Sequence, residues 1–207
     1  MKIITVYNLK GGCGKTTISI LTAQILNKKG YRVALLDSNQ EQKSTANWAE
    51  HSQMDIPCFM IENQLTKEDI EGLKQEYDFA IIDGTPTATE YSQKIIELSD
   101  IVIVPVQPSQ LAVSAFCQPT NLGNIHFALG KGKSVKFILN GCNQYNREDT
   151  NDLYQMLIKL FPNTPLFRLN EWKAYKISYD KPFIDSKDSK AQNQFGYIID
   201  KLLEELN

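Results

Sequence analysis

Long apolar runs are missing from this chain of 207 residues. None approaches the roughly 18 to 20 positions that a bilayer-spanning helix needs. The N-terminus offers one lysine and then a core strand in place of a secretion signal. Both observations point to a cytoplasmic protein. Cysteine is scarce and scattered: Cys13, Cys58, Cys117 and Cys142 show no C-x-x-C spacing, which argues against a zinc site and a disulfide framework. Three of them are expected as buried structural residues. Cys13 sits where exposed backbone N–H groups lower a thiol pKa, so it is read first as a tolerated small residue and second as an oxidation-sensitive one. An excess of charge of one sign is absent too. The 22 basic against 24 acidic residues give a net charge of −2, so any nucleic-acid binding has to come from a local patch or from assembly. No repeat, low-complexity tract or linker is visible. With 42% hydrophobic residues, the length suits a single domain, residues 1–207, built on one good-sized core.

What is present is an alternation of two periods. "IITVY", "RVALLD", "FAIID", "DIVIVPV" and "VKFILN" are continuously apolar, as buried parallel strands are. Between them, "KTTISILTAQILNKKG", "TKEDIEGLKQEY" with Thr66 as N-cap, "ATEYSQKIIELS", "DTNDLYQMLIKLF" and the terminal "KAQNQFGYIIDKLLEELN" carry helical spacing. Strand alternating with helix predicts an α/β fold, a doubly wound, mostly parallel sheet with helices on both faces and its ligand beyond the carboxyl ends of the strands. The stretch "PLFRLNEWKAYKISYDKPFIDSKDSKAQ" lacks clear periodicity and reads as a surface loop.

The segment "NLKGGCGKTT" follows the first strand and opens the first helix. Gly11, Gly12 and Gly14 allow a tight turn that brings N–H groups to phosphates, and the helix beginning near Lys15 offers its positive end. Cys13 lies within the same loop. Lys15 is placed to reach the β and γ phosphates, Thr16 to put its hydroxyl on Mg²⁺, and Thr17 to contact the α phosphate. Asp83, ending "FAIID", suits holding Mg²⁺ through a water. Asp37, ending "RVALLD", suits orienting or deprotonating an attacking water. The loop is unusual in one respect: the glycine expected five places before Gly14 is Leu9, and a second lysine, Lys10, opens the glycine run.

Together these residues resemble the ParA/MinD group of deviant Walker A ATPases, most closely its small ParA-type partition members. The motif K-G-G-x-G-K-[ST] is matched throughout by "KGGCGKT", Lys10 to Thr16, and the similarity continues through "IVPVQPSQLAVSA", "FILNGCNQYNR" and "EWKAYKISYDKPFID". The resemblance implies a P-loop fold, ATP and Mg²⁺ as cofactors, and an ATP-dependent homodimer in which Lys10 acts on the phosphates of the other subunit. It also points to Asn140, and by analogy Pro108, at the adenine end. Three departures stand out. Asn39 and Gln40 replace the second aspartate and the proline of D-x-D-P-Q; "DGTP" replaces "DTPP"; and Asp180 replaces a glycine of the C-terminal loop.

The implied activity is a weak ATPase that holds DNA non-specifically in its ATP state, assisted by a centromere-binding or activating partner and nucleoid-associated when bound. Lys173, Lys176, Lys181, Lys187 and Lys190, with Tyr175 and Tyr179 between them, form one candidate DNA patch, and Arg147 and Arg168 another. The alternatives are a MinD-like ATPase that positions cargo and a small-molecule enzyme of the dethiobiotin synthetase type. Asp200, Glu204 and Glu205 on the last helix are repelled by anionic lipid, so no membrane partner is expected.

Overall fold

The computed structural model describes residues 1–39, 42–52, 54–61, 65–86, 90–176 and 182–206. Seven strands form one sheet: β1 (Lys2–Val6), β2 (Val33–Asp37), β3 (Cys58–Met60), β4 (Phe79–Asp83), β5 (Ile101–Val106), β6 (Ser134–Cys142) and β7 (Leu166–Asn170). Their order is β3-β2-β4-β1-β5-β6-β7, and every neighbouring pair is parallel. Strand β1 lies at the centre, where the chain changes direction of travel across the sheet. In a doubly wound sheet that switch point opens the ligand crevice.

Alternate residues along the strands serve opposite layers. Ile4, Val6, Leu35 and Ile81 face α1 (Lys15–Lys28), α2 (Ser44–His51) and α8 (Ser189–Leu206), whose Ile18, Trp48 and Phe195 complete that core. On the other face, Ile3, Ala80 and Ile82 pack with α3 (Lys67–Glu76) and α4 (Glu90–Leu98). Val102, Val104 and Phe137 pack there with α5 (Gln110–Phe116), α6 (Pro119–Gly130) and α7 (Arg147–Leu160). The expected fold class is the one observed, with a sheet that is wholly parallel.

Thr66 does cap α3, in a reciprocal capping box with Asp69. Two strands and three helices exceed the sequence reading, each for a local reason; α5, for one, is only seven residues long. Strand β3 is three residues long and half exposed, and β7 is an edge strand interrupted by Arg168 and Asn170, so neither shows a continuous apolar run. Helix α2 buries only Thr45 and Trp48. Helix α6 places Asn121 and Asn124 on its buried face, which hides the apolar stripe. Residues 87–89, at the start of the helix expected over "ATEYSQKIIELS", lie outside the described residues.

The supposed C-terminal surface loop is corrected by its packing. It supplies β7, and its Tyr175 and Phe183 are buried, their rings 5.4 Å apart and 6.0 and 6.3 Å from Phe195 on α8. Aromatic side chains at irregular spacing carry no period, yet they close the core across α1. Phe195→Ala is expected to cost about 3–5 kcal/mol of stability, while Tyr197→Ala on the exposed side of the same helix stays within about 0.5 kcal/mol. Chemical denaturation of the two variants checks the contrast.

Candidate nucleotide site

Register brings the chemistry together. Val6 of β1 pairs with Asp83 of β4, and Asp83 in turn with Asp37 of β2, so both carboxylates end their strands level with the start of the glycine loop. The loop is tied to the sheet by a residue the sequence reading passed over. Buried Asn8 donates from Nδ2 to Pro105 O at 2.7 Å and accepts from Lys10 N at 2.9 Å. Buried Asn121 on α6 accepts from Leu9 N at 3.4 Å, and Asn124 donates to Tyr7 Oη at 2.8 Å. The signal for Asn8 was its place between strand and loop; nothing local marks Asn121.

Gly14 stands at the N-cap of α1 with φ 101°, in the left-handed region that favours glycine. A Cβ there would lie 2.2 Å from Asn140 Nδ2. Asn140 Nδ2 itself donates to Cys13 O at 2.8 Å, so this side chain braces the loop from β6, and its oxygen accepts no hydrogen bond among the described residues. Cys13 is buried, and burial pushes its thiol up despite the opposing charge of Lys15 and nearby N–H groups. The expectation of a lowered thiol pKa is therefore corrected: the loop's N–H groups do not outweigh desolvation.

Lys15 is buried and donates from Nζ to Lys10 O at 3.0 Å. Its ammonium closes the loop while retaining two further donors. Lys10 is half-buried, and its side chain forms no ion pair among the described residues. Gly11, Gly12, Gly14, Lys15, Thr16 and Asp83 line a cavity of about 260 Å³, which Thr17 joins to a second of about 460 Å³ containing Pro108, Asn140 and Trp172. The two chambers suit a polyphosphate and its base.

The metal end is a hydroxyl and a carboxylate. Thr16 Oγ1 donates to Asp83 Oδ2 at 2.7 Å, which leaves the hydroxyl's lone pairs for a cation. Two hard oxygen donors beside a phosphate cavity fit Mg²⁺, which takes few protein ligands and completes its shell with phosphate and water. Asp83 also accepts Thr45 Oγ1 at 2.6 Å and Ser19 Oγ at 3.4 Å. Gly84 follows so close to β1 that an added Cβ would lie 2.5 Å from Val6 O, a physical reason for glycine in "DGTP". Asp37 is wholly buried, with Oδ1 accepting from Asn39 N and Oδ2 from Thr45 N and Ala46 N. Asn39, the residue that replaces the family's second aspartate, lines the phosphate cavity instead. Gln40 and Asp180 lie outside the described residues.

Burial raises the pKa of Asp83 above the usual carboxylate range, with Asp37 adding to the rise and the hydroxyls of Thr45 and Thr16 opposing it. Folding then favours the protonated form, so ionisation of this group costs stability as pH rises from the ordinary carboxylate range through the raised value. Without nucleotide, Asp83→Asn is expected to be more stable than the parent at neutral pH and to converge with it on acidification. Urea denaturation across pH tests this, and an equal gap at every pH contradicts it.

The model of the CobQ/CobB/MinD/ParA nucleotide binding domain matches residues 4–187. Maintenance of carboxysome distribution protein A from Halothiobacillus neapolitanus is 31% identical over 120 residues, 56% of this chain and 55% of that protein, so the chain spans about half the length of this relative. Among solved structures, the ATP complex of a McdA variant from Cyanothece superposes with a TM-score of 0.77 at 17% identity, covering 98% of this chain and 96% of that one. A plasmid partition protein from Borrelia burgdorferi bound to AMPPNP gives 0.72 at 19%, covering 99% and 98%. Phosphate loop, strand-end aspartates and sheet order agree with the family match: the chain belongs to the ParA/MinD family of deviant Walker A nucleotide-binding proteins.

Proposed function

We propose that this protein is an ATP-dependent dimerising switch of the ParA type, a weak ATPase that acts in DNA partition. The observation that carries the reading is the division of labour between the two loop lysines. Lys15 is buried and turned onto its own loop, whereas Lys10 is half-buried and its side chain makes no ion pair among the described residues. One lysine serves the phosphates of its own subunit. The other is available to the nucleotide of a second copy, where it neutralises charge in trans as an arginine finger does. Thr16 and Asp83 hold Mg²⁺, Thr17 contacts the α phosphate, and Pro108 and Asn140 border the base. Bound Mg²⁺ supplies charge neutralisation at the β and γ phosphates.

DNA contact in the ATP state is the finer part of the proposal. Tyr175 is buried, its hydroxyl donating to Ala191 O at 3.0 Å, so it offers no ring to DNA. Tyr179 and Lys181 lie outside the described residues. Lys173, Lys176, Lys187 and Lys190 are exposed, as are Arg147 and Arg168, and Tyr145 beside Arg147 is 90% exposed. Arg168 stacks over Tyr154 at 5.2 Å. A symmetric dimer doubles such patches despite the net charge of −2. An activating partner protein completes the cycle. The carboxysome-distribution relative favours a second reading, in which the same switch positions a protein cargo. Membrane attachment through α8 has no support, because Phe195, Ile198, Ile199 and Leu202 spend its apolar face on the core.

Lys15→Gln is expected to abolish ATP binding. Lys10→Ala is expected to bind ATP yet lose the ATP-dependent dimer in sedimentation; a variant that dimerises normally removes the trans-lysine argument. Non-specific duplex DNA is expected to bind with ATP and not with ADP, weakening steeply with salt. Arg147→Ala should flatten the log–log salt dependence by about one unit if it touches a phosphate. A protein that dimerises with ATP and ignores DNA at low salt belongs to the protein-cargo reading.

A further inference from the structure

Helix α2 has no cap of its own. Its N-cap position is Lys43, with φ 48°, and no side chain there bonds the first turn. Lys43 is the sole non-glycine residue with positive φ among the described residues. The orphan N–H groups of that turn reach back to β2 instead, Thr45 N and Ala46 N donating to Asp37 Oδ2 at 3.0 and 3.1 Å. Asp37 thereby supplies, from eight residues upstream, the anionic cap that a helix start requires. Thr45 then commits its hydroxyl to the next strand, donating to Asp83 Oδ2 at 2.6 Å. That is the same oxygen that Thr16 reaches from the phosphate loop at 2.7 Å.

The consequence follows from counting lone pairs. A carboxylate oxygen accepts about two hydrogen bonds; Oδ2 of Asp83, the oxygen on the Thr16 side, has two, whereas Oδ1 holds only Ser19 Oγ at 3.4 Å. Any donor that arrives at Oδ2 when nucleotide and cation settle against Thr16 has to displace a hydroxyl. Thr16 is fixed in the first turn of α1, whereas Thr45 belongs to a short helix held by two carboxylates and strained at its entry. We propose that Thr45 is a positioning residue that reports occupancy of the phosphate site to α2, releasing the helix from its docked place when Oδ2 of Asp83 accepts another donor. The inference rests on the nucleotide reading above. The chain leading into α2 walls the phosphate cavity through Asn39, Gln42 and Ser44, so a shift of the helix reshapes the site that triggers it. Asp37 acts here as the anchor of α2 through Oδ2, while Oδ1, which accepts from Asn39 N, keeps a second acceptor position.

Helix α2 carries its own reporter, because Trp48 is buried against the α1 face of the sheet. The chain has two tryptophans, so difference spectra against a Trp48→Phe variant separate the Trp48 emission from that of Trp172. Adding ATP with Mg²⁺ is expected to red-shift the Trp48 emission, with binding followed separately by calorimetry. Thr45→Val is expected to bind ATP and lose the shift, and Thr45→Ser to restore it. Without nucleotide, Thr45→Val is expected to exchange its α2 amides faster than the parent, while Thr45→Ser keeps the parent's protection. A Thr45→Val protein with the parent's shift overturns the proposal, as does a parent that binds ATP with no change at Trp48. A parent that binds no ATP in calorimetry overturns the nucleotide reading and this inference with it.

Discussion

The parallel register of β1, β4 and β2 is the constraint on which the site depends. It sets Asp83 one strand from Val6, the last residue of β1 before the glycine loop, and sets Asp37 one strand further out. A slip of one residue turns every side chain of a strand to the opposite face, which would move a carboxylate from the crevice into an apolar layer. The close approach of Gly84 to Val6 O helps lock that register, since the backbones meet where no Cβ fits. Their hydrogen bond, Gly84 N to Val6 O at 3.0 Å, continues the ladder past the carboxylate.

Two buried carboxylates side by side are costly, because each loses hydration and they repel one another. The surrounding donors offset this: hydroxyls of Thr16, Thr45 and Ser19 for Asp83, and backbone N–H groups at Asn39, Thr45 and Ala46 for Asp37. The donors come from α1, α2 and the loop between β2 and α2. Elements distant in sequence are thereby held by the two carboxylates. A polar network of this kind is stable only while fully satisfied, which makes it responsive to a ligand that alters one of its bonds.

Much of this was legible beforehand. The apolar runs ending in Asp37 and Asp83, and the glycines between strand and helix, carry their meaning locally, because buried parallel strands and phosphate loops each have a short-range pattern. The braces did not. Asn8, Asn121 and Thr45 look like ordinary polar residues until the fold brings Pro105, Leu9 and Asp83 against them. The irregular C-terminal stretch differs from its sequence reading for the same reason: its Tyr175 and Phe183 pack against each other and against Phe195 through tertiary contacts that no helical or strand period announces.

The sequence by itself determined the wholly local features: the glycine loop with its two lysines, the strands whose apolar residues need burial on both faces, and the family to which they belong. Tertiary structure decided which polar groups are spent and which remain free. Lys15 turns inward and Lys10 does not, Asp37 caps a helix while Asp83 meets the phosphate loop, and Cys13 is sealed from the cavity beside it. Those outcomes depend on burial and on which partners the fold brings within reach, and neither quantity is defined until the sheet has brought the strands into register.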